Sequence, residues 1–355
     1  MTSMAANFVS SHFLANSLLL PVMQAQSSLA TAMTEESTGQ YANLGLELGE
    51  QSGYELSLKE RVGLLQTLTS NNSIVSTSLS TAQSALSAIS SSAQTTLSNL
   101  AAWTPGANSG ASLQNIGQSA LQSFIASANA TSGDQYVFGG INSAAAPIAD
   151  YYSTPASAAK SAIDQAFQTA FGVLPSDPAA ANISASAMQG FLSGPFAALF
   201  QGASWSADWS SASSDNTSAE IAPGQTVTTS TNANQPGFQA LARAFAMLSE
   251  FGGSELSGTA QQAVATAASS LVSQGVDSIT NIQAELGSSQ SAITSANNSM
   301  SSQLTFLEQQ IGSFDNVDAN VTAAQISSLT NQIQMAYELT SRLQELNLAQ
   351  YLPVA

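Results

Sequence analysis

Apolar residues recur along this chain at helical spacing, most regularly in two long stretches placed on either side of its middle. From Leu58 to Leu100, positions Leu65, Leu68, Asn72, Val75, Leu79, Ala82, Leu86, Ile89 and Ala93 follow at alternating intervals of three and four. That is an a/d seam, and it predicts a long helix with a partner along its length. At about 1.5 Å per residue such a helix runs about 65 Å. Asn72 occupies a seam position, where a polar residue fixes register at some cost in stability. In the C-terminal third, Ile279, Leu286, Ile293, Met300, Leu307 and Phe314 recur in heptads, with Ile282, Leu304 and Ile311 filling out the stripe.

The two ends carry weaker helical patterns. Residues 5–35 read as a helix with Phe8, Val9, Phe13, Leu14, Leu18, Leu19, Val22, Leu29 and Met33 on a broad apolar face, and Pro21 predicts a kink or a restart. Thr38–Gly49 is a glycine-interrupted connector. After a break at Asp315–Asp318, a last helix puts Ile326, Leu329, Ile333, Ala336, Leu339, Leu343 and Leu346 along one side, with Tyr337 and Leu348 in the same segment. Pro105-Gly106 and Gly110 close the first heptad helix, and a further helix follows over 112–131. Between about 135 and 255 the pattern changes to Pro, Gly and aromatic residues. Short helices are expected at 157–171, 185–200 and 237–251, and Val227–Thr231 is the best strand.

The expected fold is mainly α. Both chain ends form an antiparallel long-helix bundle, and a smaller mixed α/β insert interrupts it. Three domains follow: 1–37 with 318–355, terminal and polymerising; 38–140 with 255–317, a coiled-coil core; and 141–254, the insert. Neither terminal helix buries enough alone to persist in water.

Charge narrows the choice of partners. Five basic residues against 22 acidic ones give a net charge of −17, so no basic patch can neutralise nucleic-acid phosphates. Only 8% of residues are charged while 44% are hydrophobic, which separates the chain from disordered sequences and suits packing against copies of itself. Without cysteine there is no thiol catalysis, disulfide or Cys-ligated zinc. No apolar run is long enough to span a membrane. The apolar segment Phe13–Val22 has no basic residue before it, the first being Lys59, so no cleaved signal peptide is expected.

Candidate chemistry is sparse, and neither an enzyme nor a cofactor is expected. His12 is the one histidine and reads as structural. Asp315 and Asp318 read as helix capping rather than a carboxylate pair. Gly139-Gly140 has neither a Walker lysine nor the GxGxxG spacing. Trp205 and Trp209, four residues apart, read as packing within the insert before a sugar platform. Asn-X-Ser/Thr triplets at Asn129, Asn182 and Asn320 are expected by chance in a chain this rich in Ser and Thr.

Specific segments add to this. Val75–Ala93 resembles the long N-terminal core helix of flagellins and their junction relatives. Tyr136-Val137-Phe138-Gly139-Gly140, followed by Pro147, is similar to the turn leaving the second core helix in hook-associated protein 3 (FlgL). Thr38–Gly49 resembles the connector of that family, Gln334–Leu352 its terminal helix, and Tyr151–Ala158 with Gly224–Phe245 its insert. Pro21 departs from the pattern, where the first helix of the family runs on.

The resemblance implies an extracellular structural subunit of the bacterial flagellum, an adaptor at the hook–filament junction on which flagellin polymerises. It implies export through the flagellar type III apparatus with a chaperone. Its partners would be copies of itself in a ring or helix, an adjoining hook-associated protein, and flagellin. A filament flagellin is the alternative within the class. A glycan-binding or hydrolytic surface module on a coiled-coil stalk is the alternative outside it.

Overall fold

The computed structural model describes residues 11–106, 109–253 and 255–345. The helices are α1 (Ser11–Thr38), α2 (Leu44–Leu48), α3 (Ser52–Ala102), α4 (Ser109–Ala128), α5 (Ala158–Phe171), α6 (Ala185–Ser193), α7 (Pro195–Ala198), α8 (Gly202–Ser204), α9 (Pro236–Phe251), α10 (Gly258–Asp315) and α11 (Ala319–Glu345). Two antiparallel hairpins accompany them, β1 (Thr131–Ser132) with β2 (Gln135–Tyr136), and β3 (Ser218–Ala222) with β4 (Gln225–Thr228). Mainly α architecture with long helices toward both ends and small sheets in the middle is therefore what the sequence builds. The chain divides into two compact units, one from 1–64 with 302–355 and the other from 65–301.

In the first unit, α1 and α11 lie side by side and antiparallel. Gln26 donates from Nε2 to the Tyr337 hydroxyl at 2.6 Å, while the C-terminal end of α1 meets the start of α11 through Val317 N–H and Gly39 C=O at 3.0 Å. Gly39 stops α1 in the left-handed region, φ 71°, which a glycine enters without a Cβ penalty. Asp318 caps α11, accepting from Asn320 N–H at 2.9 Å. α1 runs through Pro21 without a break.

Asp315 does something else. It closes α10, takes Tyr41 N–H on its backbone oxygen at 2.9 Å, and turns its buried carboxylate to Lys59 at 2.8 Å. The same ammonium reaches Glu55, one turn earlier on α3 and also buried. Hydrogen bonds to Asp315 and then Glu55 raise the Lys59 pKa above its usual 10.5. Tyr54 meets Phe314 edge-on at 5.8 Å. These contacts hold the first turns of α3, which begins at Ser52 rather than at Leu58, where the apolar seam starts.

In the second unit, the 65–102 part of α3 and the 258–301 part of α10 run antiparallel. Asn72 bonds Asn297, and Gln83 bonds the Gln283 carbonyl, both at 2.7 Å. A second antiparallel pair, α4 with α9, holds the apolar centre: Phe124 packs on both Phe238 and Phe245 at 6.0 Å. Eleven residues of α9 are buried. The backbones approach closely here because glycine allows it. A Cβ on Gly117 would lie 2.2 Å from Ser249 N, and one on Gly275 would lie 2.6 Å from the Leu241 side chain. The aromatic residues of 141–254 continue this same apolar cluster, so the insert, α9 included, shares its core with α4.

The insert's helices depart slightly from expectation. The 185–200 stretch splits into α6 and α7 where Gly194 leaves helical geometry and Pro195 restarts it. β4 ends at Thr228, and β3, which lacks clean alternation, is its partner. Lys160 at the start of α5 bridges Asp164 and Glu250 at 2.6 and 2.9 Å.

Two outcomes follow. Gly117→Val puts branched carbon against the α9 backbone, and thermal melts should show a loss of about 3 kcal/mol, the upper end of overpacking costs. Lys59→Met strands two buried carboxylates. Breaking a buried pair costs about 3–5 kcal/mol, and partial solvation of Lys59 reduces this to about 2–3. Because the Lys59 pKa is raised on folding, its contribution is complete below pH 10.5 and lost as pH rises beyond it. Denaturant titrations of the first unit across pH 9–12 measure this, and Lys59→Met should flatten the alkaline limb.

Candidate functional site

Helices α1 and α11 bury a narrow face on each other and leave apolar side chains outside. On α11 the inward stripe is Thr322, Ile326, Leu329, Ile333, Ala336 and Thr340. Ile333 and Thr322 are buried, while Ile326 and Leu329 are half-buried. Leu339 falls beside this stripe, not in it. The stripe steps from Ala336 to Thr340, so Leu339 joins Met335 on the opposite side, 51% and 61% exposed. Tyr337 is exposed apart from its bond to Gln26. Leu346 and Leu348 lie outside the described residues, as does the side chain of Leu343.

Helix α1 has the same character. Ala32 is buried, whereas Leu19, Leu20, Met23 and Met33 are each more than half exposed. Val321 on α11 and Leu46 on α2 add to the exposed set. An apolar face remaining after two helices have paired marks a surface for further protein.

The heptad positions sit differently. Leu65, Leu68, Asn72, Leu79, Leu86 and Ile89 on α3 are buried and Val75 is half-buried. Ile279, Leu286, Ile293 and Met300 on α10 are buried in the second unit, and Leu307 in the first. Asn72 gives both amide hydrogens, one to Asn297 and one to the carbonyl of Ile221 at 2.8 Å. Ile221 is a fully buried residue of β3. The seam asparagine thus pins the insert hairpin as well as the helix pair, a second role that heptad spacing does not contain.

The insert offers no open platform. Trp205 and Trp209 are buried, stacked at 5.9 Å. Tyr151 stacks on Trp209 at 5.3 Å, and the Trp205 indole N–H donates to Asn234 at 2.9 Å. Burial pushes the Tyr151 hydroxyl far above its usual pKa. Gly139 and Gly140 serve a backbone crossing: a Cβ at either would lie 2.5 Å from a carbonyl oxygen. Among the described residues no three His, Cys, Asp or Glu side chains converge as metal ligands. The Lys59 joint escaped sequence reading, and its one trace there is the Glu55–Lys59 spacing of a helical turn.

Comparison with known proteins agrees with this geometry. Residues 9–143 match the bacterial flagellin N-terminal helical region, and residues 269–352 match the bacterial flagellin C-terminal helical region. No curated protein matches the sequence. Among solved structures, one described as a flagellar hook-associated protein from Vibrio parahaemolyticus is similar in fold. Its TM-score is 0.50 at 13% identity, over 75% of this chain and 97% of that one. With both helical regions present, in order, on the paired long helices described above, the chain belongs to the flagellin family, the structural proteins of the bacterial flagellum.

Proposed function

We propose that this subunit is an adaptor at the junction of hook and filament, which enters the flagellar polymer through its terminal helices and templates flagellin above it. The observation that carries the reading is the pair α1 and α11. Its inner faces are satisfied, while Leu20, Met23, Met335 and Leu339 stay exposed. In this reading Tyr337, Leu339, Leu343, Leu346 and Leu348 belong to the polymerising helix. The seam from Leu65 to Ile89, with Ile279 to Leu307, is the rigid core that carries it. Residues 1–37 with 318–355 assemble, 38–140 with 255–317 form the coiled-coil core, and 141–254 form the insert packed on it.

The protein acts by binding and has no catalytic role. An adjoining hook-associated protein lies below, flagellin lies above, and an export chaperone delivers the chain. The similarity in fold to a hook-associated protein favours the junction over the filament itself. The solvent-closed aromatic stack around Trp209 speaks against a glycan-binding insert.

Deleting the gene should leave hooks intact while flagellin accumulates in the medium, measured by electron microscopy and immunoblotting. Removing residues 334–355 alone should give the same result, because it removes Tyr337 and Leu339 and spares the second unit. Normal filaments in the truncated strain would overturn the proposal. Hooks without any flagellin, in cells or medium, would identify the chain as the filament subunit.

A further inference from the structure

Lys160 places one ammonium between two carboxylates. Its Nζ meets Asp164 Oδ1 at 2.6 Å, one turn along α5, and Glu250 Oε2 at 2.9 Å, near the end of α9. Each acid gives the lysine one oxygen. The Glu250 side chain is only 11% exposed, so its charge is held largely out of water. Tyr151 lies beside Glu250, and its buried hydroxyl has no hydrogen-bond partner. Burial, and then the charge of Glu250, keep that hydroxyl protonated, so it offers a donor and an acceptor but no charge. The group therefore carries one positive and two negative charges.

These side chains open on a cavity of about 440 Å³ within the second unit, lined among others by Gln118, Tyr152, Lys160, Asp164, Leu174 and Glu250. That is the size of a small-molecule pocket, apolar in part with a few convergent polar groups. Asp164, Glu250 and the Gln118 amide supply acceptors. Leu174, 45% exposed, and the Tyr152 ring supply apolar surface. The Tyr152 hydroxyl is taken up by Ser249 at 2.8 Å, which holds the ring in place. An anion would add a third negative charge beside Glu250. A neutral ligand would leave the imbalance as it stands. A second ammonium brings the charges to two and two, and a carboxylate removed from water is stabilised by each cation that reaches it.

We propose that this cavity binds a small aliphatic primary amine. The ligand's ammonium donates to the oxygens of Asp164 and Glu250 that Lys160 leaves open, and its hydrocarbon part lies along Leu174 and Tyr152. The second unit then has a binding role separate from assembly, since no residue of α1 or α11 takes part.

NMR titration of the full-length monomer with n-butylamine, at constant ionic strength, tests this. Butylamine should bind saturably, with a dissociation constant on the order of 1 mM. Tetramethylammonium has the charge without an N–H, and n-butanol has the chain without the charge. Each should bind at least about tenfold more weakly. Glu250→Gln keeps the size of the side chain and removes its charge, and should weaken butylamine about tenfold. Asp164→Asn does the same at a half-exposed position, and decides the matter if Glu250→Gln fails to fold. Leu174→Ser should weaken butylamine more than methylamine, whose single carbon cannot reach along the apolar wall. Equal binding of butylamine and tetramethylammonium would reduce the effect to counterions gathered by a chain of net charge −17 and overturn the proposal. So would butylamine affinity unchanged by both acid substitutions, or tighter binding of butyrate than of butylamine.

Discussion

Two stretches of chain far apart in sequence have to meet in one register, and Asn72 sets it. Its amide binds Asn297, 225 residues away, and the Ile221 carbonyl, 149 residues away. A polar group buried in a seam is stable only where its partners arrive together, since a buried amide left unpaired costs about 1–3 kcal/mol. One-heptad slips of α3 against α10 would keep apolar residues facing apolar residues. They would not return Asn297 to Asn72, nor place the β3 hairpin over both. The insert's position thus depends on a choice made in the helix pair beneath it.

Charge is handled with the same economy. With five basic residues in the chain, each lysine serves two carboxylates: Lys59 joins the start of α3 to the end of α10, and Lys160 joins α5 to α9. A cation shared between two acids makes a joint that neither acid could make alone, and at Lys59 both acids are buried. Most of the other acids stay on the surface, with none on α4 or on α3 beyond Glu60.

The heptad helices, the 315–318 break and the final helix were legible in the sequence because helical period and capping act locally. Asp318 capping α11 is such a local feature. What stayed hidden is non-local. Nothing near Asp315 announces that it meets Lys59, and nothing around Gly117 says that the α9 backbone lies 2.2 Å from where a Cβ would stand. The β3 strand was missed because its one inward residue, Ile221, is recognisable only from what it covers. At the terminal helix, the apolar pattern continued from Ala336 to Leu339. Packing on α1 chose Thr340, leaving Leu339 outward. The sequence places of flagellin-like segments marked the family, whereas outward apolar groups needed coordinates to be seen.

In the proposed function, those outward groups make α1 and α11 a pair completed only by neighbouring subunits. Amide hydrogen exchange on the purified monomer and on the assembled polymer tests it most directly. Expected are fast exchange through Leu19–Met33 and Val321–Leu339 in the monomer, slow exchange in the core of 65–301, and strong new protection of both terminal helices on assembly. Protection of α1 and α11 in the monomer equal to that of α9, unchanged by assembly, would contradict it.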